Sequence, residues 1–164
     1  MEISSIIPTL DWIRSTTISQ WVNSGPWIWP TLETLHFTGL GVLIGGLIVM
    51  DLRLIGYKRG LPLRTVHKIL PLVFIGFGIN ACTGFFFVVG NPHRYAVNYA
   101  FQMKVVLLLL AGLNALWFRL KISPQMKNWT ETTESPALAR FMGAASLILW
   151  FGVGIHGRLI TFFG

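Results

Sequence analysis

Cysteine is all but missing from this chain: Cys82 stands alone, so no intramolecular disulfide can form. Acid is scarce too, with six Asp and Glu against thirteen Lys and Arg. Charged residues make up only 12% of the 164 positions, where an ordinary soluble domain carries about a quarter. No zinc-finger spacing, phosphate-binding loop, dinucleotide fingerprint or serine-hydrolase elbow occurs. The first ten residues, Met1 to Leu10, lack a basic stretch ahead of an apolar one, so no cleavable signal peptide is expected. These gaps exclude the common nucleotide-dependent and zinc-stapled classes.

What fills the chain is apolar sequence. Hydrophobic residues make up 53% of it, and the mean hydropathy is +0.62. Runs of roughly 18 or more mostly apolar residues read as membrane spans. Four are visible, at about Pro30–Leu54, Val66–Val89, Ala100–Leu120 and Arg140–Phe163. They leave no room for a separate soluble domain. The expected fold is all-α: a four-transmembrane-helix bundle over residues 27–164, preceded by an N-terminal interfacial segment over 1–26.

The net charge of +7 suggests nucleic acid until its distribution is followed. Arg53, Lys58, Arg59, Arg64 and Lys68 surround the first connection, while Arg119, Lys121, Lys127 and Arg140 flank the third. Nine of the thirteen basic residues thus border one side, as in short cytoplasmic loops. Trp12, Trp21, Trp27 and Trp29 mark the opposite side as an interfacial belt. The expectation is a bacterial inner-membrane protein with both termini periplasmic. Its partner is the bilayer, with no nucleic acid involved.

Ahead of the first span, Leu10, Ile13, Thr17, Ile18, Trp21 and Val22 recur at three- and four-residue spacing. With Thr9 as N-cap and Asp11 in the first turn, they predict an amphipathic helix lying on the outer surface. A disordered terminus is the alternative. Gly90-Asn-Pro-His-Arg-Tyr reads as a turn, and Ser123 to Ser135 as the longest polar loop. Gly41-x-x-x-Gly45 is a close-packing pattern for membrane helices.

An ionisable residue within a span is costly and suggests function. Glu33 and His36 stand one turn apart at the mouth of the first span, in Trp29-Pro-Thr-Leu-Glu-Thr-Leu-His. His36 lies seven residues inside Trp29, and His156 seven residues before Phe163 on a span running the other way. At the helical rise, each sits roughly 10 Å below the outer surface. Two imidazoles in one glycine-lined layer are what an axial haem b site requires. On this reading His36 and His156 ligate iron, and Gly39 and Gly152, one turn from each, make room for the ring. Arg158, Lys104 and Arg94 pair with propionates, and Glu33 fixes the His36 tautomer.

Other readings stay open. His36 could simply hydrogen-bond to Glu33 or a neighbouring helix. Cys82 and Thr83 fall in nearly the same layer, so His36, Cys82 and His156 could hold copper or zinc. Glu33, His36, Asn80 and Asn114 could carry protons or ions. His67 is expected at the inner interface and His93 solvated in the outer turn. Asp51 and Arg53 are expected to pair with each other or with loop groups at the inner helix end.

Trp29-Pro-Thr-Leu-Glu-Thr-Leu-His36, then Asp51-Leu-Arg-Leu-Ile-Gly56, then Gly157-Arg-Leu-Ile resembles a family of small, uncharacterised bacterial four-span inner-membrane proteins over nearly the whole chain. In architecture the chain is also similar to small b-type membrane cytochromes, whose haem is held by histidines from different spans. That likeness rests on His36 and His156. It implies a haem b electron-transfer protein, or a membrane subunit of a respiratory-type complex, exchanging electrons with a quinone or a periplasmic partner. The second expectation is a cofactor-free scaffold subunit, paired with other membrane subunits or with copies of itself.

Overall fold

A computed structural model describes residues 5–57, 68–125 and 134–163. The described residues form seven helices: α1 (Ile7–Ser15), α2 (Thr17–Val22), α3 (Ile28–Ile55), α4 (Leu70–Gly90), α5 (Pro92–Val97), α6 (Tyr99–Lys121) and α7 (Ala137–Leu159). α3, α4, α6 and α7 are long and apolar enough to cross a membrane. The chain is an integral membrane protein with the expected four spans. The shortest, α4, has 21 residues and extends roughly 31 Å, about the hydrocarbon thickness.

Local chemistry sets the ends. Gly56 takes a left-handed φ of 100° and closes α3, its N–H reaching Leu52 O and the next N–H, from Tyr57, reaching the same carbonyl. Proline opens α4 and α5 where no helical N–H is needed. Asn98 caps α6 by accepting from Phe101 N at 3.0 Å, and its amide donates to Ile160 O at 3.0 Å. One buried side chain thereby ties the start of α6 to the end of α7.

The spans are ordered α4–α3–α7–α6, with packed interfaces between each adjacent pair. α4 and α6 share no such interface among the described residues. The row still curls, because one cleft near α5 is lined by residues of all four spans. Leu43, Met50 and Val73 form one small core, and Leu54, Ile122, Ala139 and Met142 another. Most large apolar side chains instead face outward, Leu109, Leu113 and Ile148 among them. Lipid supplies their contacts.

Glycine makes the α3–α4 seam, but at positions other than the expected pair. A Cβ on Gly41 or Gly45 would meet nothing within 4 Å. A Cβ on Gly76 would lie 2.8 Å from both Gly39 O and Leu43 N, and one on Gly39 would lie 2.7 Å from Asn80 Nδ2. Helical phase explains the difference: about 100° separates consecutive residues, so Gly41 and Gly45 point away while Gly39, Leu43 and Gly46 face α4.

The amphipathic stretch near the N-terminus is two helices rather than one. Thr16 breaks it, bonding Ile13 O and capping α2 through Ser19 N. The expected cap at Thr9 falls inside α1, which starts at Ile7 with Pro8 in its first turn. α2 buries Ser19 and Val22 against α4, where Asn23 Nδ2 donates to Gly90 O at 2.9 Å. The Gly90–Tyr95 turn is completed by α5, and His93 is not merely solvated: its Nε2 lies 3.1 Å from Asp11 Oδ1 of α1. Lys58, Arg59, Arg64, His67, Lys127 and most of the Ser123–Ser135 loop lie outside the described residues.

Candidate functional site

A cleft of about 160 Å³ opens near α5, and it gathers most of the polar residues singled out in the sequence. α3 contributes Trp29, Glu33 and His36, and α4 contributes Gly84 and Phe87. Arg94 and Tyr95 come from α5, Lys104 from α6, and Gly157 and Arg158 from α7. Aromatic rings form two of its walls. Phe87 packs against Trp29 at 5.2 Å and against the His36 ring at 5.3 Å, while Tyr95 meets Phe101 at 5.1 Å.

His36 is held by an unexpected partner. Its Nδ1 lies 2.7 Å from Thr83 Oγ1, and that oxygen is 2.7 Å from Ile79 O. A carbonyl only accepts and a hydroxyl has one proton, so one arrangement satisfies both short contacts: Nδ1–H donates to Thr83, and Thr83 donates to Ile79 O. The neutral ring then keeps its lone pair on Nε2. That nitrogen makes no hydrogen bond among the described residues, and the ring lines the cleft. Glu33 does not set this tautomer. Its Oε1 accepts from Trp29 Nε1 at 3.1 Å, the i−4 neighbour on the same helix.

His156 is absent from the cleft lining. Its Nδ1 donates to Gly152 O, 2.9 Å away in the preceding turn. The reason is rotational. Gly154 and Gly157 face the cleft, and His156, between them in sequence, is turned aside. Equal depth therefore does not bring the two histidines together. Gly39 and Gly152 do not line the cleft either: the first is filled by Ile79 and Asn80, and the second packs near Leu107. The small residues that open the site are Gly84, Gly154 and Gly157, the last with Lys104 Nζ 3.2 Å from where its Cβ would be.

Charge in the cleft is lopsided. Arg94, Lys104 and Arg158 face one carboxylate, Glu33, and none of the three makes an ion pair with it. Arg94 Nε is buried with no hydrogen-bond partner. Arg158 sits 5.3 Å from the Phe162 ring centroid, a cation–π contact. Burial pushes the Tyr95 phenol above its usual value of 10.0; Arg94 works against this and Glu33 adds to it.

The remaining candidates lie elsewhere. Cys82 is on the exposed face of α4, and no group of three or more metal-ligating His, Cys, Asp or Glu side chains forms among the described residues. A copper or zinc site on His36, Cys82 and His156 is thus not assembled. Asn80 and Asn114 both donate to backbone carbonyls, Gly76 O and Met142 O, so they brace helices rather than extend a polar path from Glu33 and His36. Asp51 is buried at the other end of α3, beside Ser146 of α7.

Haem b can be tested against this geometry. The lone pair on Nε2 and the three cations suit iron and propionates. The volume does not suit the macrocycle: the cleft matches a cavity of ~150 Å³ that takes up benzene. No second histidine lines it among the described residues. Comparison with protein-family models, curated proteins and solved structures finds no match for this chain.

Proposed function

We propose that this integral membrane protein binds one lipid-soluble, oxygen-bearing ring in the cleft, serving a membrane electron-transfer system as a binding subunit. The observation that carries the reading is the locked His36. A histidine anchored on Nδ1 offers Nε2 to a ligand in an aromatic-walled cleft of one-ring volume. Lys104 and Arg94 supply donors for a second oxygen. Among the described residues α4 and α6 lack a packed interface, which would let such a ring reach the cleft from the lipid between them.

The basic clusters around Arg53 and Arg119–Lys121 support an orientation with the cleft on the periplasmic side of a bacterial inner membrane. Reporter fusions after Tyr57 and Gln125 should then read cytoplasm and one after Asn91 should read periplasm; the reverse pattern overturns the orientation.

A narrower haem b reading rests on the same lone pair, with His36 a histidine ligand, and requires a cleft wider than the one described. One preparation separates the two. Protein purified gently from its native membrane is examined by optical spectroscopy, then extracted with organic solvent for mass spectrometry. The expected result is a colourless protein yielding about one ring compound per chain, lost in His36→Ala and kept in His156→Ala. A Soret band that His36→Ala abolishes and His156→Ala does not would establish the haem reading instead. A colourless protein with an empty extract refutes both.

A further inference from the structure

We infer that the cleft takes up the reduced, dihydroxy form of a lipid-borne quinone in preference to the quinone itself. The inference rests on the ring-binding reading and adds the chemical class and redox state of the ligand. It comes from the direction of one hydrogen-bond chain. Thr83 gives its only proton to Ile79 O, so it must accept from His36 Nδ1. His36 is thereby fixed, while neutral, as an acceptor at Nε2.

A quinone carbonyl is also an acceptor. Facing Nε2 it would set two lone pairs against each other with no proton between them. A quinol hydroxyl donates to Nε2 and completes the chain O–H to Nε2, Nδ1–H to Thr83, and Thr83 to Ile79 O. The other side of the cleft does not discriminate, because Lys104 and Arg94 only donate and the oxygens of both redox forms accept. Glu33, the other acceptor in the lining, is engaged by Trp29 through Oε1, and the tautomer set by Thr83 makes His36 the group that chooses between the forms.

Size and access agree with this class. The volume of about 160 Å³ takes one substituted ring. The Phe87–Trp29 and Tyr95–Phe101 pairs in the lining offer faces for it. A polyprenyl or alkyl tail would stay in the lipid by passing between α4 and α6, which share no packed interface among the described residues. No electron transfer is assigned to this chain; it binds and orients.

An unmade hydrogen bond to a buried polar group corresponds to a preference of about tenfold to a hundredfold. The test uses the full chain in nanodiscs free of native quinone, with a decyl-substituted dimethoxybenzoquinone in its oxidised and reduced forms under anaerobic conditions. Wild type should bind the reduced form at least tenfold more tightly. Equivalently, the two-electron midpoint potential of the bound ring should rise by about 30 mV or more.

Thr83→Val keeps the shape but removes the acceptor for Nδ1. The ring is then free to adopt the Nε2–H tautomer, and the preference should fall to within about twofold. Thr83→Ser, which restores the hydroxyl, should restore the preference. A merely structural role for Thr83 would weaken both forms together. Equal binding of the two forms by wild type overturns the inference, as does a tenfold preference that persists in Thr83→Val. In both cases the ring-binding reading stands. Binding of neither form by wild type overturns the assignment to quinones at its root, and the identity of the extracted compound then decides whether a different ring occupies the site.

Discussion

Substituting Gly76 by alanine tests how the site is held in place. The added Cβ would stand 2.8 Å from Gly39 O and Leu43 N and 3.2 Å from Leu43 Cα. All three are backbone atoms, so no side-chain rotation relieves the overlap. α3 and α4 must separate by roughly 0.6 Å to restore ordinary contact, loosening the Leu43–Val73 core beside the seam. Overpacking of this kind costs about 1–3 kcal/mol, and a rigid backbone obstacle puts Gly76→Ala near the upper end. An unfolding equilibrium constant should therefore rise about 30- to 150-fold. Gly41→Ala is the matched control: its Cβ meets nothing, and the change should be within about 0.5 kcal/mol of neutral. Unfolding in mixed micelles, titrated with denaturing detergent and followed by tryptophan fluorescence, measures both. Equal stability of the two variants would refute the seam argument. A collapse in Gly41→Ala with Gly76→Ala unharmed would place the packed face of α3 on its other side.

Two further outcomes follow from groups near the cleft. Asn98→Ala removes the α6 cap and leaves Ile160 O without its donor, so it should cost about 2–3 kcal/mol in the same unfolding assay, whereas Asn98→Asp keeps the cap acceptor and should lose less. Tyr95 keeps its proton in the folded chain above the usual value of 10.0, while the unfolded chain releases it there, so stability should fall as pH rises past about 10 and level off only beyond the folded value; a tyrosinate titration at the ultraviolet edge should show one phenol ionising late, and earlier in Glu33→Gln.

The spans were legible because a membrane helix announces itself by length and apolarity, which need no tertiary knowledge. α3, α4, α6 and α7 match the apolar runs to within about four residues where they are described. The end of the molecule that holds the site was legible too: Glu33, His36, Lys104, Arg94 and Arg158 share one cleft. Rotation about each helix axis was not legible. Depth counts residues along the axis, but facing changes by about 100° at every step. That is why His156, at the right depth, looks elsewhere. It is also why Thr83 rather than its neighbour Cys82 reaches His36. Thr83 stands in the expected layer, but a hydroxyl carries no metal chemistry to single it out in a sequence, whereas a sulfur does. Glu33 misled for a related reason, since Trp29, four residues before it, was the better-placed donor.

The placement of the fastenings bears on how a ligand could enter. The His36–Thr83 bond and the Gly39–Gly76 contact both lie within the α3–α4 pair. Asn98 to Ile160, Asn114 to Met142 and the Lys104–Gly157 approach all lie within the α6–α7 pair. The two pairs meet along the α3–α7 interface and share no packed interface between α4 and α6 among the described residues. Any widening there would be a rotation of one pair against the other about α3–α7. Such a rotation separates His36 from Lys104 while leaving the hydrogen bond that sets His36's tautomer and the contact that places Lys104 unbroken. A ring could pass from the lipid into the cleft and find both polar anchors already oriented, so the ordering cost of binding would fall on the ring and not on the protein.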